Sequence, residues 1–158
     1  MSGMNGASAA IKIVAEVNGN VITNYQITQR VSFLRMITNL EDTAANRAQI
    51  EKDAQQMLID EVLKLEAASS IDPTLASRAR GAARQLVNDN FALNGKNGMQ
   101  VLRDNGIFAD SIQDKFVADL VWSELSNSNS KPNLAIWTAR LTRSWNGLKP
   151  TPASRKLS

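Results

Sequence analysis

The segment that most constrains the fold lies near the middle of the chain, at about residues 44–68. Its apolar residues recur at spacings of three and four, which is the period of an α-helix. They are Ile50, Ala54, Met57, Leu58, Val62 and Leu65, with Ile59 and Leu63 widening the apolar stripe. A stripe of this width requires more than one packing partner, because a helix with a single neighbour needs only a narrow seam. The segment therefore predicts the central helix of a helical core.

A single β-hairpin is predicted in front of the helices. Residues 11–17 follow a mostly two-residue period, which favours a half-buried strand. The side chains expected on its apolar side are Ile11, Ile13, Ala15 and Val17. Asn18-Gly19 tolerates positive φ at a tight turn, and Val21 and Ile22 can return as a second strand. A two-stranded ribbon is marginal by itself, so we expect the hairpin to pack against helices.

Helical periodicity recurs in five further segments, joined by polar loops or by loops that contain glycine or proline. They span about residues 24–38, 73–91, 99–104, 110–125 and 134–148. Thr23 or Asn24 is expected to cap the first of these helices, and Asp42 or Thr43 the long central helix. The predicted fold class is mainly α, with a short N-terminal β-hairpin packed on a bundle of about six helices.

The 158 residues are enough for one domain with its own core, and no apolar run approaches the roughly 18 residues of a membrane span. We expect residues 1–10 to be a disordered leader and residues 11–126 to form the helical domain. Residues 127–133 are predicted as a polar linker and residues 134–148 as a C-terminal amphipathic helix that packs on the domain. Residues 149–158 are expected to form a disordered tail.

The residue types that most often carry catalysis are missing from the chain, which contains no histidine and no cysteine. Disulfides, thiolate metal sites and cysteine nucleophiles are therefore excluded, and the commonest general base is lacking. Asp60 and Glu61 are neighbours within a helix, so their carboxylates diverge, and we expect them to be solvated. Gly95 and Gly98 are not followed by the Lys-Ser or Lys-Thr of a phosphate loop. We expect no catalytic residue, no cofactor and no metal site.

Charge is divided unevenly along the chain. Residues 1–126 hold 12 Lys/Arg and 15 Asp/Glu, a net charge of −3, whereas residues 127–158 hold 6 Lys/Arg and no acid, a net charge of +6. Arg78, Arg80 and Arg84 make the third long helix basic. Few aromatic residues lie among them, so a solvated face is favoured over a nucleic-acid interface, which would show steep salt dependence.

The predicted C-terminal helix carries Trp137 and Trp145, for which three interpretations remain open. The favoured one is that they dock on the body and complete its core. A second is that the helix binds an acidic partner or a membrane surface, because basic residues flank the two tryptophans. The flanking residues are Arg140, Arg143 and Lys149. A third interpretation is a surface that holds non-native chains.

Three pieces of the chain, in this order, are similar to the N-terminal domain of SurA-type periplasmic chaperones, whose full-length members carry parvulin peptidyl-prolyl isomerase domains. They read VAEVNGNVITNYQITQRV, QQMLIDEVLKLEAASSIDP and VLRDNGIFADSIQDKFVADLVWSEL, and together they cover about residues 13–126. The first resembles the family's strand, Asn-Gly turn, strand and helix, and the second its core helix. The third resembles its glycine turn followed by a returning helix.

The resemblance implies an ATP-independent holdase that binds unfolded or outer-membrane-type polypeptides in the periplasm, through an apolar groove. The run Ala7-Ser8-Ala9-Ala10 is compatible with export, although no signal peptide is visible in the given chain. The candidate client-binding residues, each with a place in the core as its alternative, are Phe33, Met36, Phe91, Phe108, Trp122 and Trp137. The residues after 126 are too few for a parvulin fold, so isomerase activity is not expected.

Overall fold

A two-stranded hairpin followed by five helices makes up residues 10–127, which are the residues that this computed structural model describes. The elements are β1 (Ile13–Val17), β2 (Asn20–Thr23), α1 (Asn24–Thr38), α2 (Ala44–Ile71), α3 (Leu75–Asn90), α4 (Gly98–Asp104) and α5 (Ala109–Asn127). This architecture confirms the predicted mainly helical fold with an N-terminal β-hairpin. The predicted sixth helix at 134–148 lies outside the described residues, as do the tail and nearly all of the linker and the leader.

The hairpin closes through the turn that its sequence predicts. Asn18 and Gly19 have φ angles of 50° and 84°, the pair of positive values that a two-residue hairpin turn with right-handed strand twist requires. The turn is held against α2, because the side-chain amides of Asn18 and Asn20 each donate to the Glu66 carboxylate at 2.8 Å. The hairpin is thus fixed to the central helix by polar contacts as well as by Ile22, which is 1% exposed.

Only the inner end of the hairpin packs against the helices. Ala15 and Val17 are partly buried there, as the alternation predicts. The same prediction is wrong for Ile11 and Ile13, which are 73% and 65% exposed. The pairing of the strands is irregular between Ile13 and Ala15, so Val14 is an extra residue in β1. Beyond this bulge the hairpin extends past the core and leaves an exposed apolar end.

The helix boundaries follow local capping signals. Thr23 caps α1 in a reciprocal capping box with Gln26, and Thr43 accepts a hydrogen bond from the backbone N–H of Asn46 at the start of α2. α2 continues to Ile71, three residues past its predicted end. The extension is accounted for by packing, because Ala67 and Ala68 are buried at the C-terminal end of this helix.

The buried apolar residues form three clusters. The first joins the hairpin, α1 and α2 through Ile22, Ile27, Leu34, Ile50, Ala54 and Leu58. The second joins α2, α3 and α5 through Ala68, Leu75, Ala83, Val117, Val121 and Leu125. The third joins α1, α3, α4 and α5 through Phe33, Val87, Leu102, Ile107 and Ile112. α2 contributes to two clusters, in agreement with the prediction that it has more than one packing partner.

Gly98 allows α4 to begin directly against α3, because a Cβ at this position would overlap the carbonyl oxygen of Val87. We expect Gly98→Ala to lower the free energy of unfolding by about 2 kcal/mol or more, since backbone atoms cannot move aside cheaply. Gly81→Ala, in an open part of α3, is the matched control and should stabilise by up to about 1 kcal/mol through helix propensity. Urea unfolding followed by circular dichroism measures both, and a Gly98→Ala protein as stable as the wild type would contradict this packing.

Candidate functional site

A groove opens where the N-terminal turns of α1 and α5 meet the middle of α2. Its main cavity, of about 430 Å³, is lined by Tyr25, Gln26, Leu58, Glu61, Phe108, Asp110, Ser111 and Asp114. A smaller cavity of about 60 Å³ is lined by Val21, Ile22, Gln26, Leu58, Glu61, Val62, Leu65 and Asp114. Four lining residues are shared, so the two cavities adjoin each other. Together they are called the groove below.

The back of the groove is a buried ion pair between α1 and α2. The Nη1 atom of Arg30 donates a hydrogen bond to Oε1 of Glu61. The side chains of Arg30 and Glu61 are 0% and 9% exposed, respectively. Arg30 also donates through Nη2 to the backbone oxygen of Ser111 in α5, at 3.5 Å, whereas its Nε has no hydrogen-bond partner within residues 10–127. Three helices therefore meet at one guanidinium. Burial raises the pKa of the Glu61 carboxyl, although Arg30 acts in the opposite direction.

One side of the groove is positioned by Gln29, the residue before Arg30. Its side-chain amide donates to the Gly106 carbonyl at 3.1 Å, and its Oε1 accepts from the Phe108 N–H at 2.8 Å and from the Ser111 hydroxyl at 3.1 Å. Gln29 is itself buried. The turn between α4 and α5 is thereby fixed to α1, and this turn carries Phe108 to the rim.

The rim combines exposed aromatic rings with carboxylates. Tyr25 is 44% exposed and Phe108 is 57% exposed. Asp110 and Asp114 lie one turn apart in α5, and the nearest basic partner of Asp114 is Arg80 at 4.0 Å. Among the described residues, no lysine or arginine lines either cavity. The groove therefore offers apolar contact, hydrogen-bond acceptors and negative charge.

The expectation that Asp60 and Glu61 are solvated is wrong, since the two residues are only 6% and 7% exposed. The packing of α1 and α5 on α2 covers Glu61, and no local pattern reveals that. Burial raises the pKa of Asp60 to about 6, and the Gln56 hydrogen bond and Lys64 oppose this rise.

A second acidic group lies where α5 packs on α2. The Asp119 carboxylate of α5 accepts hydrogen bonds from the ammonium groups of Lys64, at 2.8 Å, and of Lys115, at 2.7 Å. Burial would raise the pKa of Asp119, but the two lysines hold it below its usual range.

The predicted client-binding residues are distributed over several parts of the structure. Phe33 is 1% exposed and meets the ring of Phe91 edge-on at 5.6 Å between ring centroids. Met36 packs on the same cluster, and Trp122 packs on the cluster of α2, α3 and α5. Among the predicted residues within 10–127, only Phe108 lines the groove. The sixth, Trp137, lies outside the described residues.

Sequence reasoning missed most of the groove, including Tyr25, Leu58 and the two aspartates of the rim. One signal was available: Tyr25 is an aromatic residue off the apolar stripe of α1, and such a residue either serves another contact or remains exposed. The arginines of α3 are solvated, as predicted: the Arg78 and Arg80 side chains are 59% and 58% exposed, and Arg84 is also exposed.

Within residues 10–127, no helix is long and apolar enough to cross a membrane, and no group of acidic side chains is arranged to hold a metal ion. Comparisons of the chain with protein-family models, with curated proteins and with solved structures gave no match. The family resemblance therefore stays a prediction.

Breaking the buried ion pair should be costly, whereas removing it entirely should be tolerated. We expect Glu61→Leu to lose about 3–5 kcal/mol of unfolding free energy, because Arg30 is left buried and unpaired. The double variant Arg30→Met/Glu61→Leu should recover most of that loss.

The matched control is Arg78→Met, which breaks the exposed pair with Asp72 and should change stability by less than about 1 kcal/mol. Urea unfolding of these proteins and of the single variant Arg30→Met gives the coupling free energy of the pair, because a double-mutant cycle needs both single variants. If the losses of unfolding free energy in the two single variants add up in the double variant, with no recovery, the pair does not have this role.

Asp60 should make stability depend on pH. Its pKa is raised in the folded state, so its contribution is fully present below the ordinary value of 3.8 and is lost as the pH rises through about 6. A neutral Asn avoids this loss. The unfolding free energy of Asp60→Asn minus that of the wild type should therefore increase by about 2 kcal/mol between about pH 4 and about pH 7.

Unfolding in urea at both pH values measures this change, with Asp89→Asn on α3 as the same substitution at an exposed site. The readout is how the difference in unfolding free energy changes between the two pH values. A loss of packing in the variant that is independent of pH therefore does not affect the result. A difference that stays constant would show that folding does not change the pKa of Asp60.

Proposed function

We propose that this protein is an ATP-independent chaperone of the holdase type, which binds extended segments of non-native polypeptides in the groove. The observation that carries the proposal is the pair of exposed rings, Tyr25 and Phe108, above the apolar floor at Leu58. Exposed apolar surface arranged around a concavity is typical of a binding site.

The size of the groove fits short segments of chain. A cavity of about 430 Å³ is at the small end of ligand sites and accepts one or two large side chains. Such a site binds a small part of a client at a time and releases it readily. Weak, reversible binding suits a holdase, which has to return its client to the folding pathway without an energy source.

The exposed end of the hairpin extends the apolar surface beside the groove. Ile11, Ile13, Val14 and Val21 are each at least 45% exposed, and Val21 also lines the smaller cavity. The hairpin contains two strands, so within the described part of the chain each strand has one edge without a partner strand. An extended segment can pair with such an edge through its backbone while its side chains enter the groove.

The resemblance to SurA-type chaperones supports the same function. It extends the proposal to a periplasmic location and to outer-membrane-type clients, and it includes no isomerase site in this chain. The alternative is a non-catalytic interaction module in which the basic segment at 127–158 binds an acidic partner or a membrane surface. The charge of +6 in that segment is the observation that favours the alternative.

Suppression of aggregation of an unfolded β-barrel client tests the proposal. The wild type should suppress light scattering at low molar ratio, and Tyr25→Ser/Phe108→Ser should require about tenfold more protein, because the loss of aromatic side chains that a bound client covers weakens binding strongly. Leu93→Ser is the matched control, since Leu93 is 59% exposed and does not line the groove.

If the Leu93→Ser control also loses suppression, the client binds to exposed apolar surface in general and not to the groove. Equal suppression by the wild type and Tyr25→Ser/Phe108→Ser would exclude the groove. If Arg140→Gln/Arg143→Gln instead abolishes binding to clients or to anionic liposomes, the interaction-module alternative is correct.

A further inference from the structure

The acidic and aromatic groups of the rim define which segments the groove prefers. We propose that it selects segments in which a lysine or arginine lies next to an apolar residue, the basic group on the rim and the apolar side chain on the floor. This inference rests on the proposed function, since it names the class of client for the same groove.

Two carboxylates are available to receive the basic group. Asp110 and Asp114 are four residues apart in α5, so they lie on one face of the helix. Both are exposed, and within residues 10–127 Asp110 makes no ion pair, while Asp114 is 4.0 Å from an exposed Arg80. Their charges are therefore directed to solvent and are largely uncompensated.

The third carboxylate of the groove does not contribute in the same way. Glu61 is already paired with Arg30, whose side chain is completely buried behind it. A client cation therefore meets the rim carboxylates first, and the ion pair at the back stays intact. The charge selectivity of the groove is expected to depend on Asp110 and Asp114.

The exposed rings act in the same direction. The faces of Tyr25 and Phe108 attract an ammonium or guanidinium group by the cation–π interaction, as well as offering apolar contact. Leu58 and Leu65 supply the apolar floor. An acidic client would instead meet two carboxylates of its own sign at the rim.

Short synthetic peptides of one sequence, with Arg, Gln or Glu at a central position beside Phe, test the inference by fluorescence anisotropy on the full chain. The Arg peptide should bind about tenfold more tightly than the Glu peptide at low salt, and the ratio should shrink at high salt. In Asp110→Asn/Asp114→Asn the ratio should fall to about twofold or less, with affinity for the Gln peptide unchanged.

The matched control is Asp89→Asn/Glu124→Gln, which removes two exposed acids of α3 and α5 that do not line the groove. This control has the same net charge as the groove variant, so it should retain the preference for Arg. Equal loss of the preference in both variants would show that net charge, and not the rim, selects the peptide. That result would overturn the inference.

The remaining outcomes separate this inference from the proposed function. If the three peptides bind equally well and Tyr25→Ser/Phe108→Ser weakens all of them, the groove is a client site without charge selectivity, and only the inference fails. If no peptide binds, the proposed function fails with it.

Two other occupants of the groove would also overturn the inference. Peptide binding that is seen only in Arg140→Gln/Arg143→Gln would identify the chain's own basic segment as the occupant. A dimer in light scattering that Phe108→Ser converts to a monomer would identify a second copy.

Discussion

The burial of the Arg30 charge where α1, α2 and α5 meet is the strongest constraint on this part of the structure, because Glu61 has to compensate that charge. Arg30 is fully buried, and it also contacts the backbone of Ser111 in α5. A single charge at this depth is costly, so the two side chains have to be buried together. Apolar contacts tolerate neighbouring registers between two helices, whereas this pair requires one turn of α1 to face one turn of α2.

The groove is the solvent-facing side of the same polar junction. The Arg30–Glu61 pair lies behind the space between the N-terminal turns of α1 and α5, and Gln29 fixes the turn before α5 on one side of it. That space remains open. Hydrogen bonds from Gln29 and the Arg30–Glu61 ion pair fix the walls of the groove beneath the exposed rings at its rim.

Acidic groups have two different environments in this protein. Asp119 lies between two lysines, and Glu61 is paired with an arginine, so these charges are compensated inside the fold. Asp110 and Asp114 face solvent at the rim of the groove with little compensation. Compensated charges serve the structure, whereas exposed, uncompensated charges beside aromatic rings are available to a ligand. This contrast connects the architecture of the helices to the class of client proposed for the groove.

The sequence by itself determined the secondary structure and the fold class, because these depend on local signals. Hydrophobic period identified the helices, Asn18-Gly19 specified the hairpin turn, and Thr23 and Thr43 marked two helix starts. Which residues line the groove was decided only by the tertiary structure. Arg30 and Glu61 are 31 residues apart, and Tyr25 and Phe108 belong to different helix ends, so no local pattern could place either pair together. Chain topology brings these side chains to one groove, and their burial there changes what a charged or aromatic residue can do.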